Sequence, residues 1–367
     1  MRVLVVAESF LPQVNGVTNS VRRVLQHLAS TGHQAELVAP TGPSSYAGFP
    51  VRLTRGTSLP FYRDFRLGLE TRGRLRQVME RFEPDVVHIA SPATLGYQAV
   101  RASGELGIPT VAIYQTDLVG FADRYGVAGG ARAMARLTRA IHRDVDRTLA
   151  PSSASVRQLL QLGVPRVALW PRGVDAVQFH PERRTRPRNT NGPVRVGYVG
   201  RLAPEKELHL LTHLSDLPGV ELELVGCGPE ERRLRTLLPG ATFRGALHGD
   251  ELARAYADLD VFVHTGRHET YCQSAQEALA SGVPVVAPYA GGPIDVVPPE
   301  AGFLHEPGDP AGLRGYVAVL AGDADLRHRM GLAARRAVEG RTWEGVNAAL
   351  VEHYLDVVAQ RRTLRAA

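Results

Sequence analysis

Four charged side chains in the second half of the chain are placed to hold one anionic ligand: Arg201 and Lys206 in "GRLAPEKEL", Glu269 and Glu277 in "RHETYCQSAQEALASG". A forked guanidinium and a point-charge ammonium, five residues apart on one loop, can together neutralise a diphosphate. The two glutamates bracket the start of a predicted helix. Glu277 lies about one turn inside it, where a carboxylate can accept hydrogen bonds from a ribose diol, while Glu269 precedes it and would face a sugar. Amides at a helix N-terminus favour phosphate oxygens, and Tyr271, Cys272 and Gln273 stand there. Each residue alone also has an ordinary reading: Lys206 salt-bridged to Glu205 or Glu207, Glu269 a loop charge, Glu277 a solvated helix residue. Lys206 draws further notice as the single lysine beside 42 arginines.

These residues need elements to position them. Short β-branched runs alternate with helical patterns in two blocks. "RVLVVA", "QAELVA", "DVVHIA" and "PTVAIY" read as buried strands of the first, with "SVRRVLQHLASTG" as an intervening helix stopped by glycine. "VRVGYVG", "VELELVG", "DVFVHT" and "VPVVAP" read as strands of the second. Strand–helix alternation predicts two parallel-sheet α/β domains, each doubly wound. The boundaries expected are 1–180 for the first domain, a polar, arginine-rich linker "HPERRTRPRNTNGP" over 181–193, and 194–345 for the second. Residues 346–367 belong to a closing amphipathic helix. Ligands of open parallel sheets bind at strand carboxyl ends, so the two domains are expected to face a central cleft.

The loops after strands therefore carry the candidates. No G-x-G-x-x-G follows the first strand; Asn15-Gly16 stands there instead, directly ahead of a helix, where glycine lets backbone N–H groups approach an anion. "GCG" at 226–228 is only a fragment of a glycine motif. "DLD" at 258–260 resembles a metal-binding D-x-D, but Asp260 opens an apolar strand and Arg201 and Lys206 already supply positive charge, so no metal is expected.

Whole-chain properties set bounds. A length of 367 residues suits two domains. Hydrophobic residues at 44% and charged residues at 22% fit a soluble enzyme. No apolar run approaches the ~18–20 residues of a membrane span, and the opening "MRVLVVAESF" reads as a strand rather than a signal peptide. Two cysteines, Cys227 and Cys272, suit a reducing compartment, so the cytoplasm is expected. The net charge of +6 raises nucleic acid, an anionic membrane or an anionic substrate. Zinc-finger spacing and RNA-binding aromatic motifs are missing, which argues against nucleic acid. Arginines cluster at 62–77, 132–147 and 181–188, either as solvated faces or as a contact with the inner face of the cell membrane.

"GRLAPEK", "VGCGPE", "HETYCQSAQEALASGVPVVAP" and "AGGPIDVV" resemble the successive motifs of glycosyltransferase family 4, including its E-x7-E element, here Glu269 to Glu277. "PRGVDAVQFHP" is similar to the segment before the family's linker and "TWEGVNAALVEHYL" to its final helix, which packs back on the first domain. The resemblance implies the GT-B fold, two Rossmann-like domains, and a retaining, sugar-nucleotide-dependent enzyme. "YRDFRLGL", "PDVVHIASPATLG" and "YQTDLVGFADRYG" resemble the actinobacterial GDP-mannose-dependent α-mannosyltransferases that act on lipid-linked acceptors. By resemblance, Arg201 and Lys206 hold the donor diphosphate, Glu277 the ribose and Glu269 the transferred sugar. Gly16 and the Cys272–Gln273 backbone approach phosphate or sugar, and Gly291 and Gly292 line the sugar pocket. Asn15, Gln115 and Asp117 fall at the acceptor and sugar side. The partners implied are a sugar nucleotide and a glycolipid or small-molecule acceptor, with no cofactor and no metal. The chain departs from the family at Asn15 and Cys272, where glycine is usual, and at Gln115, where histidine is common. Three rival readings share these features: a UDP-sugar enzyme with a soluble acceptor, a sugar-nucleotide epimerase or hydrolase, and a non-catalytic nucleotide-binding protein.

Overall fold

The structure, a computed structural model, describes residues 1–13, 15–59, 62–91, 93–120, 130–187 and 192–366, with side chains at 57–67, 365 and 366 outside the description. Residues 121–126 of "YQTDLVGFADRYG" and 188–191 of the expected linker fall outside the described residues. Contacts divide the chain into two units, Met1–Pro171 joined by the segment from Trp343 to the C-terminus, and Arg172–Thr342.

Among the described residues the first unit has ten strands: β1 (Arg2–Val6), β2 (Gln34–Ala39), β3 (Ser45–Tyr46), β4 (Phe49–Leu53), β5 (Arg55–Leu59), β6 (Tyr62–Leu69), β7 (Val86–Ile89), β8 (Thr110–Ile113), β9 (Arg147–Ala150) and β10 (Val167–Leu169). Among the described residues, eight form one sheet in the order β10-β9-β8-β7-β1-β2-β4-β3. Only the β3–β4 pairing is antiparallel in it; β5 and β6 form a separate antiparallel pair. Successive side chains of β1 go to opposite faces. Val3 and Val5 join a core with Leu25, Leu28 and Trp170, while Leu4 and Val6 join another with Leu75, Met79 and Ile141. That is why the β1 sequence is apolar without alternation: helices cover both faces.

Those helices are α1 (Gly16–Ser30), α2 (Arg72–Phe82), α3 (Thr94–Leu106), α4 (Gly130–Arg143) and α5 (Ser153–Gln161). Local chemistry starts several of them. The side chains of Asn15, Thr71 and Ser152 accept from the third residue on, capping α1, α2 and α5.

The second unit has β11 (Val194–Val199), β12 (Val220–Val225), β13 (Thr242–Gly245), β14 (Val261–Val263), β15 (Val285–Pro288) and β16 (Gly302–His305), all parallel, in the order β13-β12-β11-β14-β15-β16. Its helices are α6 (Glu231–Leu237), α7 (Gly249–Ala257), α8 (Gln273–Ala280), α9 (Pro293–Val296), α10 (Pro310–Gly322) and α11 (Ala324–Ala337). Val196 and Tyr198 enter one core and Val199 and Phe262 the other, so this sheet too is covered on both faces.

The closing helix α12 (Trp343–Ala366) packs in the first unit, with Leu350, Tyr354 and Val357 beside Val3, Leu25 and Trp170. Trp170 Nε1 donates to Val346 O at 2.8 Å, and Arg147 meets Asp356 at 2.9 Å.

The boundary differs from the expected 180. The chain leaves the first unit at Pro171 because the next segment is tied to the second. Tyr271 Oη and Gln276 Nε2 both donate to Arg172 O, and Arg335 donates to Ala176 O and Phe179 O. Nor is 181–187 a solvated linker. Arg184 Nη2 lies 2.6 Å from Asp260 and its Nη1 donates to Ala257 O and Leu259 O. Thr185 and Arg186 amides bond Asp258 at 2.7 and 3.0 Å. Both carboxylates of "DLD" are thus engaged by the arginine-rich segment that precedes β11.

Candidate functional site

The carboxyl edge of the second sheet gathers the charged residues. β11 ends at Val199 and leads through Gly200 to Arg201, then a 3-10 turn Pro204–Lys206. β14, its neighbour in the sheet, ends just before His264 and delivers Glu269. Because these strands pair, residues 63 apart in sequence meet: Lys206 Nζ bonds Glu269 Oε1 directly. Thr265 Oγ1 donates to Lys206 O and closes the loops together. Burial acts to lower the Lys206 pKa, but the Glu269 carboxylate, with Cys272 and Glu205, outweighs it and raises it. Burial likewise acts to raise Glu269, and Lys206 and His264 outweigh it, holding the carboxyl well below its usual range. Both groups are therefore ionised at neutral pH.

α8 begins immediately beyond. Its N-cap, Cys272, is in the left-handed region at φ 76° and is buried. Glycine reaches that conformation without a Cβ penalty and cysteine does not, which accounts physically for the family's usual glycine here. Glu277 sits in α8 and accepts from Tyr256 Oη at 2.9 Å. Gln273 Nε2 donates to Gly173 O at 3.1 Å, so its side chain holds the segment after Arg172.

Gly291 and Gly292 are required by backbone crowding. A Cβ at Gly291 would come within 2.3 Å of Glu269 O, and one at Gly292 within 2.1 Å of Tyr271 O. Gly292 N donates to Glu269 O at 2.8 Å. These glycines let α9 press against the Glu269–Tyr271 backbone and fix where the carboxylate points. "GCG" has a similar role that the sequence reading passed over. A Cβ at Gly226 would lie 1.9 Å from Gly200 O and one at Gly228 2.2 Å from Leu202 O, while Leu202 N donates to Cys227 O. The fragment is the seat of the Arg201–Lys206 loop. A groove lined by Gly228, Pro229, Glu231, Arg232, Arg235 and Thr236 opens beside it.

Arg201 is half-buried; burial lowers its pKa and nearby Glu205 raises it, the first effect prevailing. Tyr198, stacked on His264, donates to Arg201 O at 3.0 Å. Tyr198, Tyr256 and His264 were not singled out from the sequence. His264, the polar residue just past the apolar run Val261–Val263 and ahead of Glu269, carried the one legible signal.

The remaining candidates lie in the first unit. Asn15 is the N-cap of α1: its Oδ1 accepts from Thr18 N at 2.9 Å and its Nδ2 donates to Ser9 Oγ at 2.8 Å. Gly16 follows with open space where a Cβ would be, so internal packing does not demand glycine. Gln115 is buried and donates to Ala90 O at 2.6 Å. Asp117 Oδ1 accepts from Tyr114 Oη, Gly120 N and Gln158 Nε2, which commits that oxygen to its own loop. The structure thus brings Arg201, Lys206, Glu269, Cys272, Gln273, Glu277, Gly291 and Gly292 into one unit, and Asn15, Gly16, Gln115 and Asp117 into the other.

A feature absent from the sequence reading sits at the carboxyl end of β1. Glu8 is 1% exposed, and its carboxylate accepts from Leu95 N (2.6 Å), Gly96 N (3.2 Å) and Gly68 N (3.2 Å). Burial pushes its pKa up to about 7 against these three amides.

Residues 14–178 match the family model described as glycosyltransferase family 4, and residues 180–337 that described as glycosyl transferases group 1. A GDP-mannose-dependent alpha-mannosyltransferase of Mycobacterium tuberculosis is 48% identical over 100% of this chain and 99% of its own. The chain belongs to glycosyltransferase family 4. A protein of the same name from Corynebacterium glutamicum is 42% identical over 98% of this chain and 90% of its own. A sulfoquinovosyl transferase of Arabidopsis thaliana is 34% identical over 93% of this chain and 70% of its own. Among solved structures, sucrose-phosphate synthase from Thermosynechococcus elongatus superposes with a TM-score of 0.80 at 20% identity, over 98% of this chain and 99% of that one. The fold is GT-B, and the activity of this family 4 member is glycosyl transfer. Among the described residues, no helix is long and apolar enough to cross a membrane.

Proposed function

We propose that this glycosyltransferase moves mannose from GDP-mannose to a hydroxyl of a lipid-linked acceptor, with retention at the anomeric carbon, as a hexosyltransferase at the inner face of the cell membrane. The observation that carries the donor is the 48% identity, end to end, with a protein named for GDP-mannose and α-mannosyl transfer. The acceptor class draws support from a 27% identical relative named as a phosphatidylinositol dimannoside mannosyltransferase.

In this reading the acceptor oxygen bonds to the anomeric carbon on the face from which the diphosphate departs, and the acceptor's proton passes to that diphosphate. Arg201 and Lys206 meet the growing negative charge, a preorganised electrostatic role. Backbone around Cys272 and Gln273 adds to it, together with Gly16. Glu277 takes the ribose and Glu269 the mannose, in a pocket formed with Gly291 and Gly292. Asn15, Gln115 and Asp117 act on the acceptor or sugar side; the hydrogen bonds of Asn15 and Asp117 favour holding their loops over touching sugar. No metal takes part, since Lys206 and Arg201 supply the positive charge and Asp258 and Asp260 are held by Thr185, Arg184 and Arg186. Membrane contact runs through exposed arginines of the first unit.

Thermal-shift measurement with GDP, UDP and ADP tests the donor, because a ligand bound by the native state raises its melting temperature. GDP is expected to give the largest shift, and a larger one with UDP overturns the mannosyl reading. Turnover should survive excess EDTA; loss restored by Mg²⁺ or Mn²⁺ overturns the metal-free reading.

A further inference from the structure

His264 is 1% exposed, and its Nε2 lies 3.3 Å from Glu269 Oε1, the oxygen that also takes Lys206 Nζ. Neither ring nitrogen has a hydrogen-bond partner among the described residues, so the contact is one of charge rather than an aligned N–H bond. Tyr198 stacks on the ring at 6.1 Å between centroids, and Gly266, with no side chain, leaves room beside Nε2. Burial acts to lower the imidazole pKa, and the Cys272 sulfur and Glu269 carboxylate outweigh it and raise it. The other titratable groups facing this cluster are Tyr198, Glu205 beside Lys206, and His305 at the end of β16.

A largely enclosed carboxylate, 17% exposed here, is costly to leave without its only cation. Were Lys206 the sole partner of Glu269, swinging it toward an incoming anion would strand that carboxylate. We infer that His264 is a positioning residue: it keeps a positive charge on Glu269, so that Lys206 can turn to the diphosphate of a nucleotide donor. This rests on the donor reading of Lys206 given above.

Calorimetric titration with GDP on a double-mutant cycle tests it. His264→Gln should weaken GDP about tenfold, the effect of roughly one well-placed charge. In a Glu269→Gln background Lys206 has no carboxylate to abandon, and the same histidine change should alter GDP affinity less than about twofold. Equal losses in both backgrounds, or no loss in either, overturn the inference. Lys206→Ala in the same assay separates the two readings. If it binds GDP as well as the unsubstituted chain, or if that chain binds no GDP, the donor reading falls and this inference with it. If Lys206→Ala weakens GDP and His264→Gln does not, only the inference falls. Ring-¹⁵N-histidine spectra of the unsubstituted protein guard against misfolding of the variant. One buried imidazolium should persist from pH 7 to 9, and a spectrum with every buried ring neutral at pH 7 overturns the inference.

Discussion

Lys206 and Glu269 hold each other charged, so the transferase should show no ionisation of either between about pH 5 and 9. For Glu269 the sign is that of a depressed carboxylate. Its contribution to stability is present above the unfolded pKa of about 4.5 and is lost as pH falls through the lower folded value. Catalytic effects separate by what changes during reaction. The charge meeting Lys206 grows as the glycosidic bond breaks, so Lys206→Ala should lower kcat about 10²–10³-fold and raise donor KM far less. Near-normal turnover in steady-state kinetics would remove Lys206 from the diphosphate. The ribose assigned to Glu277 does not change, so its loss should appear as weaker donor binding. Glu277 also takes the Tyr256 hydroxyl, and alanine there would leave that buried hydroxyl unpaired. Glu277→Gln is the cleaner substitution, and it should raise donor KM by an equivalent of about 1–3 kcal/mol while leaving kcat within severalfold.

At the scale of elements, glycines and one carboxylate decide how pieces meet. Gly292→Ala puts a methyl 2.1 Å from Tyr271 O. α9 must retreat, moving the Glu269 backbone with it, and donor affinity should fall together with about 1–3 kcal/mol of stability, measured by denaturant unfolding. Glu8 joins three elements by accepting amides at the start of α3 and from β6. Its folded pKa of about 7 exceeds the value of 4.5 for an unperturbed carboxyl. The group therefore contributes stability that is full below about pH 4.5 and is lost as pH rises through about 7. Melting temperatures of the unsubstituted chain should carry this decline between pH 5 and 8, worth up to roughly 3 kcal/mol. Glu8→Gln should flatten it, and parallel melting curves of the two proteins across that range would count against the assignment.

At the scale of the whole molecule, the net charge of +6 is unevenly neutralised. The arginines of α2 sit beside glutamates: Arg72 by Glu105 at 3.0 Å, Arg76 by Glu80 at 3.3 Å, Arg74 by Glu70 at 3.9 Å. α4 contains no acidic residue and exposes Arg132, Arg136 and Arg139 at helical spacing. Binding to anionic vesicles should therefore depend on α4. Alanine at Arg132 and Arg136 should reduce it several-fold at low salt, and alanine at Arg72 and Arg76 should matter less. Added salt should weaken it as the screening length falls to ~8–10 Å. Sedimentation with vesicles reads both effects, and equal losses from the two helices would return the contact to α2.

The sequence by itself determined what neighbours along a chain decide. Apolar runs such as "RVLVVA" had to be strands covered on both faces, Asn15 and Gly16 had to open a helix, and strand–loop–helix order put Arg201, Lys206, Glu269 and Glu277 on loops or helix starts. Resemblance supplied the family. Only the tertiary structure decided the pairings. Lys206 meets Glu269 because β11 lies beside β14, and Arg184 meets Asp260 because the segment before β11 returns to the end of α7. Glu8 reaches Gly68 and Leu95 across 60 and 87 positions. "GCG" looked like a broken motif because its crowding partner, the Gly200–Leu202 backbone, is remote in sequence. Periodicity and capping are written in residues a few positions apart, whereas strand order is chosen by how both faces of a sheet are buried, and that choice sets which buried charge is given a partner.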